Sequence, residues 1–261
     1  MSTMPSTEFG ETLAIRTDFG EVGRGASNAR YIEASDGNEY LIKGPSLAPD
    51  NPMVGANELI AVRLAAKLGL PVLGHAVVER NGDWFFASNW MNKAQFSPAL
   101  DRELFLKCEN QDCIYGTAVF DAWLINKDRH HENLIARRVG RTNPPRHTLL
   151  LNDHSHLLAN PLLPKLPSQL MGQVDNAAAP YVTLSFLRES IRGAARLRGA
   201  LEAIEQLSDE EVAAVVDATP DELLSAAHKP LYVDFLNQRR VRLRGVMQKE
   251  PSPFPNLRGS I

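Results

Sequence analysis

Three oxygen-bearing side chains in the middle of the chain have the types and spacing that phosphoryl transfer requires. Asp128 and Asn133 lie in the polar run 126–133, and Asp153 follows the next apolar run, at the end of a predicted strand. In a D-x4-N loop the aspartate accepts the proton of the acceptor hydroxyl, and the asparagine holds Mg²⁺. An acid at the end of the following strand then completes a set of oxygen ligands for that ion. We therefore predict that Asp128, Asn133 and Asp153 are catalytic, and that Asn133 and Asp153 bind Mg²⁺.

A second set of residues, nearer the N-terminus, could hold the phosphates of a nucleotide. Phosphoryl transfer of this type pairs a lysine on a strand with an acid on the next helix. Lys43 ends the predicted strand 40–43, and Glu58 lies near the start of a helix predicted over 56–68. The glycine-rich turn 20–28 precedes them, and its amides could cover phosphates. The predicted nucleotide-binding residues are Lys43, Glu58, Gly23, Gly25, Ala26, Ser27 and Asn28.

Taken together, these motifs resemble the catalytic core of HipA-like kinases, and more distantly that of phosphatidylinositol 4-kinases. The likeness lies in residues 121–134 (DAWLINKDRHHENL) and 152–154 (NDH), with further matches at 57–65, 70–72 and 235–240. At 152–154 the chain departs from the Asp-Phe-Gly of ordinary protein kinases, so a conventional activation switch is not expected.

The resemblance implies a two-lobed kinase-like fold that moves the γ-phosphate of ATP to a hydroxyl group, with Mg²⁺ as cofactor. Lys43 would contact the phosphates and Glu58 would hold that lysine in place. Asp128 would be the base, while Asn133 and Asp153 would bind the metal. A serine or threonine of a protein is the acceptor that the family implies, and a small molecule or a lipid headgroup is the alternative.

The elements that must position these residues change in character along the chain. Strand-favouring runs lie at 12–17, 29–34, 40–43, 74–79 and 84–88. Later segments predict helices over 101–108, 112–125 and most of 183–248, with a strand pair at 134–138 and 148–151. Strands first and helices last indicate an α+β fold. We predict a small strand-rich N-lobe over residues 1–92 and a mainly helical C-lobe over 93–261.

Two helix starts are signalled inside the predicted helical region. Ser208 and Glu211 have the spacing of a capping box, in which each side chain bonds the other residue's backbone amide. Thr219 followed by Pro220 has the pattern of an N-cap residue and a proline in the first helical position. We therefore predict that one helix begins after Ser208 and another after Thr219.

Two other functions are compatible with parts of this pattern. His154 and His156 on an extended segment, with Asp128 and Asp153 nearby, could ligate the metal of a hydrolase. That hypothesis leaves Lys43 without a role, and the sequence contains no H-E-x-x-H motif. The second alternative is a pseudokinase that binds nucleotide without transferring phosphate, against which the intact acidic residues argue.

Composition excludes several further classes. The 261 residues carry a formal charge of -3, whereas a dedicated nucleic-acid-binding protein is normally basic, so direct nucleic-acid binding is not expected. No apolar run is long enough to span a bilayer, and the first residues do not resemble a secretory signal. The two cysteines, Cys108 and Cys113, are too few for a disulfide framework. We expect a cytoplasmic protein whose partner is its protein or small-molecule acceptor.

Overall fold

The computed structural model describes residues 12–22, 28–90, 100–126, 129–140, 145–155, 185–249 and 254–261. Its architecture is mixed α/β, with strands in the N-terminal part and helices in the C-terminal part. The predicted lobe boundary, between residues 92 and 93, lies outside the described residues.

Five strands of the N-terminal part close into a barrel. They are β1 (Leu13–Glu21), β2 (Arg30–Ala34), β3 (Glu39–Lys43), β4 (His75–Arg80) and β5 (Asp83–Asn89). Their order is β1-β2-β3-β5-β4; β1 and β4 pair in parallel to close the barrel, and the other neighbours are antiparallel. All five strands lie where the β-favouring runs predict them.

The alternation of side chains along β2 and β3 determines which side chains point into the barrel core and which point outward. Ile32 and Ile42 are buried inside it with other apolar residues. Successive residues of a strand point to opposite faces, so Leu41 and Lys43 share the other face of β3. Tyr31 pairs with Leu41 across the β2–β3 ladder and therefore lies on that same outer face. The strand alternation thus directs Lys43 away from the barrel core, toward the face that also carries Leu41 and Tyr31.

Helix α1 (Val54–Lys67) connects β3 to β4 and is buried on nearly every side. Eleven of its 14 residues are buried, so its polar side chains need partners inside the protein. It packs against β5 and against the helix Asp209–Asp217 of the C-terminal part. The helix ends before Gly69, which has a φ of +70° that favours glycine, and Pro71 follows.

The C-terminal part is built around a buried central helix. Its helices are α2 (Arg102–Leu106), α3 (Cys113–Leu124), α4 (Ser185–Ser190), α5 (Ala194–Glu205), α6 (Asp209–Asp217) and α7 (Lys229–Lys249). A short 3-10 helix (His131–Asn133) leads into the hairpin of β6 (Leu134–Val139) and β7 (Arg146–Leu151). Helix α3 contacts both α5 and α7, and Trp123 Nε1 donates a 2.9 Å hydrogen bond to the carbonyl of Leu236. The core of this part therefore surrounds α3, directly before the predicted catalytic loop.

One of the two predicted helix starts is confirmed and the other is wrong. Ser208 and Glu211 form a complete capping box at the start of α6. After Thr219 the amides of Leu223 and Leu224 both bond to the carbonyl of Pro220, which makes a turn, and the next helix begins only at Lys229. Pro230 excludes one continuous helix from residue 220 into α7, because its ring would meet the carbonyl of the preceding turn. Proline is tolerated in the first turn of the new helix.

Among the described residues, no helix combines the length and apolar character that crossing a membrane would require.

Candidate active site

Lys43 lies between two carboxylates that come from distant parts of the chain. Its Nζ is 2.6 Å from Glu58 Oε1 and 2.7 Å from Asp153 Oδ2. The side chains of Lys43 and Glu58 are 12% and 3% exposed, so this is a nearly buried ion pair, whereas that of Asp153 is 27% exposed. The structure thus brings together the strand lysine, the helix acid and the strand-end acid that the sequence analysis selected.

The charges of this group depend on one another. Burial alone would lower the pKa of Lys43, but the carboxylates of Asp153 and Glu58 outweigh burial and raise this pKa above its ordinary value. Burial would raise the pKa of Asp153, and Lys43 together with Ser155 holds it well below its usual range. Lys43 is therefore a cation and Asp153 an anion at neutral pH.

The second oxygen of Glu58 fixes the residue next to Asp153. Glu58 Oε2 accepts a 2.8 Å hydrogen bond from the amide of His154, and His154 Nδ1 lies 3.5 Å from the same oxygen. The imidazole of His154 is buried and its edge faces the ring of Phe120. Glu58 therefore holds both Lys43 and the backbone beside Asp153, so α1 sets the position of two site residues together.

Asn57, the neighbour of Glu58, extends this connection to the last helix. Its Nδ2 donates to the carbonyl of Ser155 at 3.2 Å, and its Oδ1 accepts a 2.8 Å bond from the hydroxyl of Tyr232 on α7. Both side chains are buried. Sequence reasoning missed Asn57, although a polar residue on the apolar face of a helix is a signal that a partner is needed.

Asp153 has a left-handed backbone, with a φ of +54°. Aspartate tolerates this region better than most residues do, because its short side chain can bond locally. Asp153 Oδ1 accepts such bonds from the amide of Ser155 at 3.1 Å and from its hydroxyl at 2.6 Å. The local turn therefore fixes one carboxylate oxygen and leaves the other for the cation at Lys43.

Arg129 connects the predicted catalytic loop to the segment that carries Asp153. It forms a two-pronged ion pair with Asp121, both distances being 3.0 Å, and both side chains are completely buried. Its Nη1 donates to the carbonyl of Asn133 at 2.9 Å and to that of Asn152 at 2.7 Å. The planar guanidinium can make all these bonds at once, which an ammonium could not do with the same geometry. Arg129 thus fixes the spacing between the segments that carry Asn133 and Asp153.

Helix α3 ends in a strained turn that directs the chain into this loop. Ile125 has a φ of +52° and is completely buried. A β-branched residue in this region is a true outlier, and such strain persists only where surrounding structure enforces it. The amide of Asn126 bonds to the carbonyl of Asp121 at 2.9 Å, and the Asn126 side chain bonds to the Asp121 carboxylate at 3.0 Å. Sequence reasoning missed this anchor, although an acid within an apolar helix is a signal that a buried partner is needed.

The remaining predicted site residues are partly outside the described regions. Asn133 is buried, and its carbonyl accepts a 3.1 Å bond from the amide of Asn152, so it lies beside the Asp153 segment. Asn28 has a φ of +44° and donates through Nδ2 to the carbonyl of Leu47 at 3.0 Å. Five predicted residues lie outside the described residues: Asp128, Gly23, Gly25, Ala26 and Ser27.

Aromatic rings cluster on the outer barrel face that carries Leu41. Tyr31 stacks on Phe19 with ring centroids 4.6 Å apart and contacts Trp90 at 4.9 Å. A hydrogen bond to Glu39 raises the pKa of Tyr31 to about 12 and fixes its hydroxyl. Tyr31 pairs with Leu41, so these rings lie on the same outer barrel face as Leu41 and Lys43.

Among the described residues, His154 does not lie in a cluster that suits the alternative hydrolase. Within the described ranges, no group of three or more His, Cys, Asp or Glu residues could hold a metal ion. The other histidine of that hypothesis, His156, lies outside the described residues. The observed contacts of His154 are with Glu58 and Phe120, as described above.

The barrel, the buried helix α1 and the helical C-terminal part define a kinase-type fold, which solved structures confirm. The Helicobacter pylori proinflammatory kinase CtkA matches with a TM-score of 0.60 and 16% identity, over 90% of this chain and 96% of that chain. The Golgi casein kinase matches with a TM-score of 0.51 and 11% identity, over 92% of this chain and 75% of that chain. Shewanella oneidensis HipA, solved with HipB and operator DNA, matches with a TM-score of 0.48 and 14% identity, over 95% and 70% of the two chains. No protein-family model matches the chain, and no curated protein matches its sequence.

We expect Lys43 and Glu58 to act as one unit. Lys43→Met and Glu58→Gln should each impair phosphoryl transfer, and the double variant should be much less impaired than the product of the two effects predicts. The reason is that either change already breaks the 2.6 Å pair, so the second change has less to remove. Single-turnover rates of the four proteins would measure the coupling.

Lys67→Met is the matched control, because Lys67 also lies on α1 and pairs with a glutamate, Glu211, but at the exposed surface. Its turnover should be unchanged. Effects of Lys43→Met and Glu58→Gln that multiply independently would contradict the assignment of these two residues to one functional pair.

Proposed function

We propose that this protein is an ATP-dependent phosphotransferase that moves the γ-phosphate to a hydroxyl acceptor. The observation that carries the proposal is the position of Lys43, whose Nζ lies 2.6 Å from Glu58 and 2.7 Å from Asp153. A lysine paired with a helix acid is the arrangement that kinases use to hold nucleotide phosphates. The kinase-type fold supports the reading at a coarse level, while the residue roles rest on this geometry and on the sequence motifs.

In this proposal the barrel and the helical part are two lobes, and the nucleotide binds between them. Lys43 contacts the phosphates. Tyr31 and Leu41, which share the outer barrel face with Lys43, contact the base, since a flat apolar surface favours stacking with an aromatic ring. The turn before Asn28 covers the phosphates through its amides.

Asn133 and Asp153 offer oxygen ligands of the kind that Mg²⁺ prefers, and their segments are joined by the bond between Asn152 and Asn133. Asp153 is ionised and already holds a cation, the Lys43 ammonium, at 2.7 Å. These residues therefore fit a Mg²⁺ ion that is also bound by nucleotide phosphates. When bound, the ion would neutralise charge on the transferring phosphoryl group.

In this proposal, residues of the chain remove the proton of the acceptor hydroxyl and position the reacting groups. The oxygen of the acceptor hydroxyl bonds to the γ-phosphorus, and Asp128 accepts the proton of that hydroxyl. The bond between the γ-phosphorus and the oxygen of the β-phosphate breaks, and ADP leaves. Positioning and fixed charges supply most of the rate enhancement in reactions of this type.

A serine or threonine of a protein is the proposed acceptor, with a small molecule or lipid headgroup as the alternative. Both cysteines are free thiols, which is consistent with the proposed cytoplasmic location.

Nucleotide and metal should stabilise the protein together. We expect ATP to raise the melting temperature more with Mg²⁺ than without it, because a ligand that binds only the folded state stabilises that state more when it binds more tightly. Thermal unfolding with ATP, Mg²⁺, both or neither tests this directly. The Asp153→Asn variant is the control, and it should lose the additional shift that Mg²⁺ provides.

Transfer itself is tested by incubating the protein with γ-labelled ATP, alone and with cell lysate. Label on a protein band or a small molecule would support the function and identify the class of acceptor. Stabilisation by nucleotide without any transfer would indicate a pseudokinase instead. Stabilisation by Zn²⁺ alone, with no response to ATP, would favour the metal-dependent hydrolase.

A further inference from the structure

A second cavity lies in the helical part and shares no residue with the candidate active site. Its volume is about 650 Å³, and it lies between the α2–α3 region and the segment that leads into α5. This volume falls within the range of protein ligand sites, which is roughly 300–1,000 Å³. Six of the residues around it carry the argument below: Phe105, Leu106, Ile114, Arg192, Arg196 and Arg258.

Backbone hydrogen bonds hold two of its arginines side by side. The amide of Arg258 donates to the carbonyl of Arg192 at 2.9 Å, and the amide of Ala194 donates to the carbonyl of Arg258 at 3.2 Å. Both arginines are exposed, and neither guanidinium has an acidic partner among the described residues. Because both arginines line the cavity, an anion in it has access to two guanidinium groups, and hydrogen bonds between charged groups are the stronger kind.

A third arginine is oriented toward the same cavity. Arg196 forms an ion pair with Asp112, and its guanidinium lies over the ring of Tyr115, 5.4 Å from the ring centre. The hydroxyl of Tyr115 accepts a 3.1 Å bond from the amide of Arg192, which ties the arginine-bearing segment to α3. Asp112 is the only acid among the residues around the cavity that the structure describes, and Arg196 already neutralises it. The cavity is therefore cationic in a chain whose formal charge is -3.

The other wall of the cavity is apolar. Leu106 is 61% exposed, and buried Phe105 and Ile114 lie beside it. An inorganic anion would use only the arginines and leave this wall in water. A ligand with both carboxylates and an apolar side chain would use both walls, and its apolar group would cover Leu106.

We propose that this cavity is a docking site for an acidic peptide segment of a partner protein. The carboxylates of the segment pair with Arg192 and Arg258, and one of its apolar side chains packs against Leu106. Guanidinium groups bind carboxylates in a two-pronged geometry, which gives the cationic wall its preference for acidic side chains. The proposal is independent of the function assigned to the Lys43 site.

Fluorescence anisotropy with a labelled peptide of glutamates around two leucines tests the proposal. We expect saturable binding that weakens as salt is added, because the ion pairs are near the surface. The double variant Arg192→Glu/Arg258→Glu should bind roughly tenfold more weakly or worse, since two attractive charges become repulsive. Leu106→Ser should weaken binding several-fold, and a peptide with glutamine in place of glutamate should not bind.

Arg138→Glu provides the matched control, because Arg138 is an exposed arginine on β6, outside the cavity. It should bind the peptide as the unchanged protein does. No binding by the unchanged protein, or equal loss in Arg138→Glu, would overturn the proposal. Tighter binding of a thymidine oligonucleotide at the same arginines would overturn it in favour of a nucleic-acid site. The melting-temperature response to ATP and Mg²⁺ should be the same in all variants, which separates this test from that of the proposed function.

Discussion

Asp128→Asn is expected to reduce turnover by about 10²–10⁴-fold while ATP affinity changes little. The substitution keeps the shape of the side chain and removes only its ability to accept a proton. In the proposed mechanism this carboxylate faces the acceptor and does not contact the nucleotide. Steady-state kinetics with the identified acceptor, together with a titration of ATP binding, would measure the two effects separately.

Asp153→Asn is the comparison for this experiment. Asp153 holds the Lys43 ammonium at 2.7 Å and is the proposed metal ligand, so its loss should weaken Mg·ATP binding and turnover together. The contrast between the two variants separates chemistry from binding. Near-normal turnover in Asp128→Asn would show that the catalytic-loop assignment is wrong, and the kinase proposal would fail with it.

Asp121→Asn is expected to destabilise the protein by about 3–5 kcal/mol, because it removes the carboxylate charge that forms the buried two-pronged ion pair with Arg129. The side chains of Asp121 and Arg129 are both completely buried, so solvent cannot compensate. Arg129 also bonds the carbonyls of Asn133 and Asn152, so the remaining folded protein should bind Mg·ATP more weakly. Chemical denaturation would measure the free energy of unfolding, and the ATP titration would measure the second effect.

Glu103→Gln is the matched control for stability. Glu103 pairs with Lys107 on the surface, where the two side chains are 80% and 50% exposed. Exposed pairs of this kind contribute little, so no measurable change in unfolding is expected. If Asp121→Asn were as stable as Glu103→Gln, the buried pair could not be what fixes the loop between α3 and β6.

The Asp128→Asn and Asp121→Asn predictions concern different properties of the same candidate site. Asp128 was selected from sequence, by the D-x4-N spacing and by the resemblance to HipA-like kinases, and its predicted effect is on chemistry. Asp121 became interesting only through its bonds to Arg129 and Asn126, and its predicted effect is first on stability. The site thus depends on residues that never contact substrate, because the spacing between Asn133 and Asp153 is set by Arg129.

The amino-acid sequence alone determined the elements and the residue types of the site. The five strands were predicted from runs of β-favouring residues, and α1 was predicted over residues 56–68. The capping box at Ser208 was likewise readable, because a cap involves residues only three positions apart. Lys43, Glu58, Asn133 and Asp153 were selected because their types and order fit one reaction.

Only the tertiary structure decided which of these residues touch. Lys43 is bonded to Asp153, more than a hundred positions away, and His154 is bonded to Glu58. Arg192 and Arg258 meet through backbone bonds between segments that are separate in sequence. The helix predicted after Thr219 failed for a related reason, since Pro230, outside the local signal, ends any continuous helix there. Periodicity and caps are short-range properties of a chain, whereas the pairing of buried charges depends on which distant surfaces pack together and exclude water.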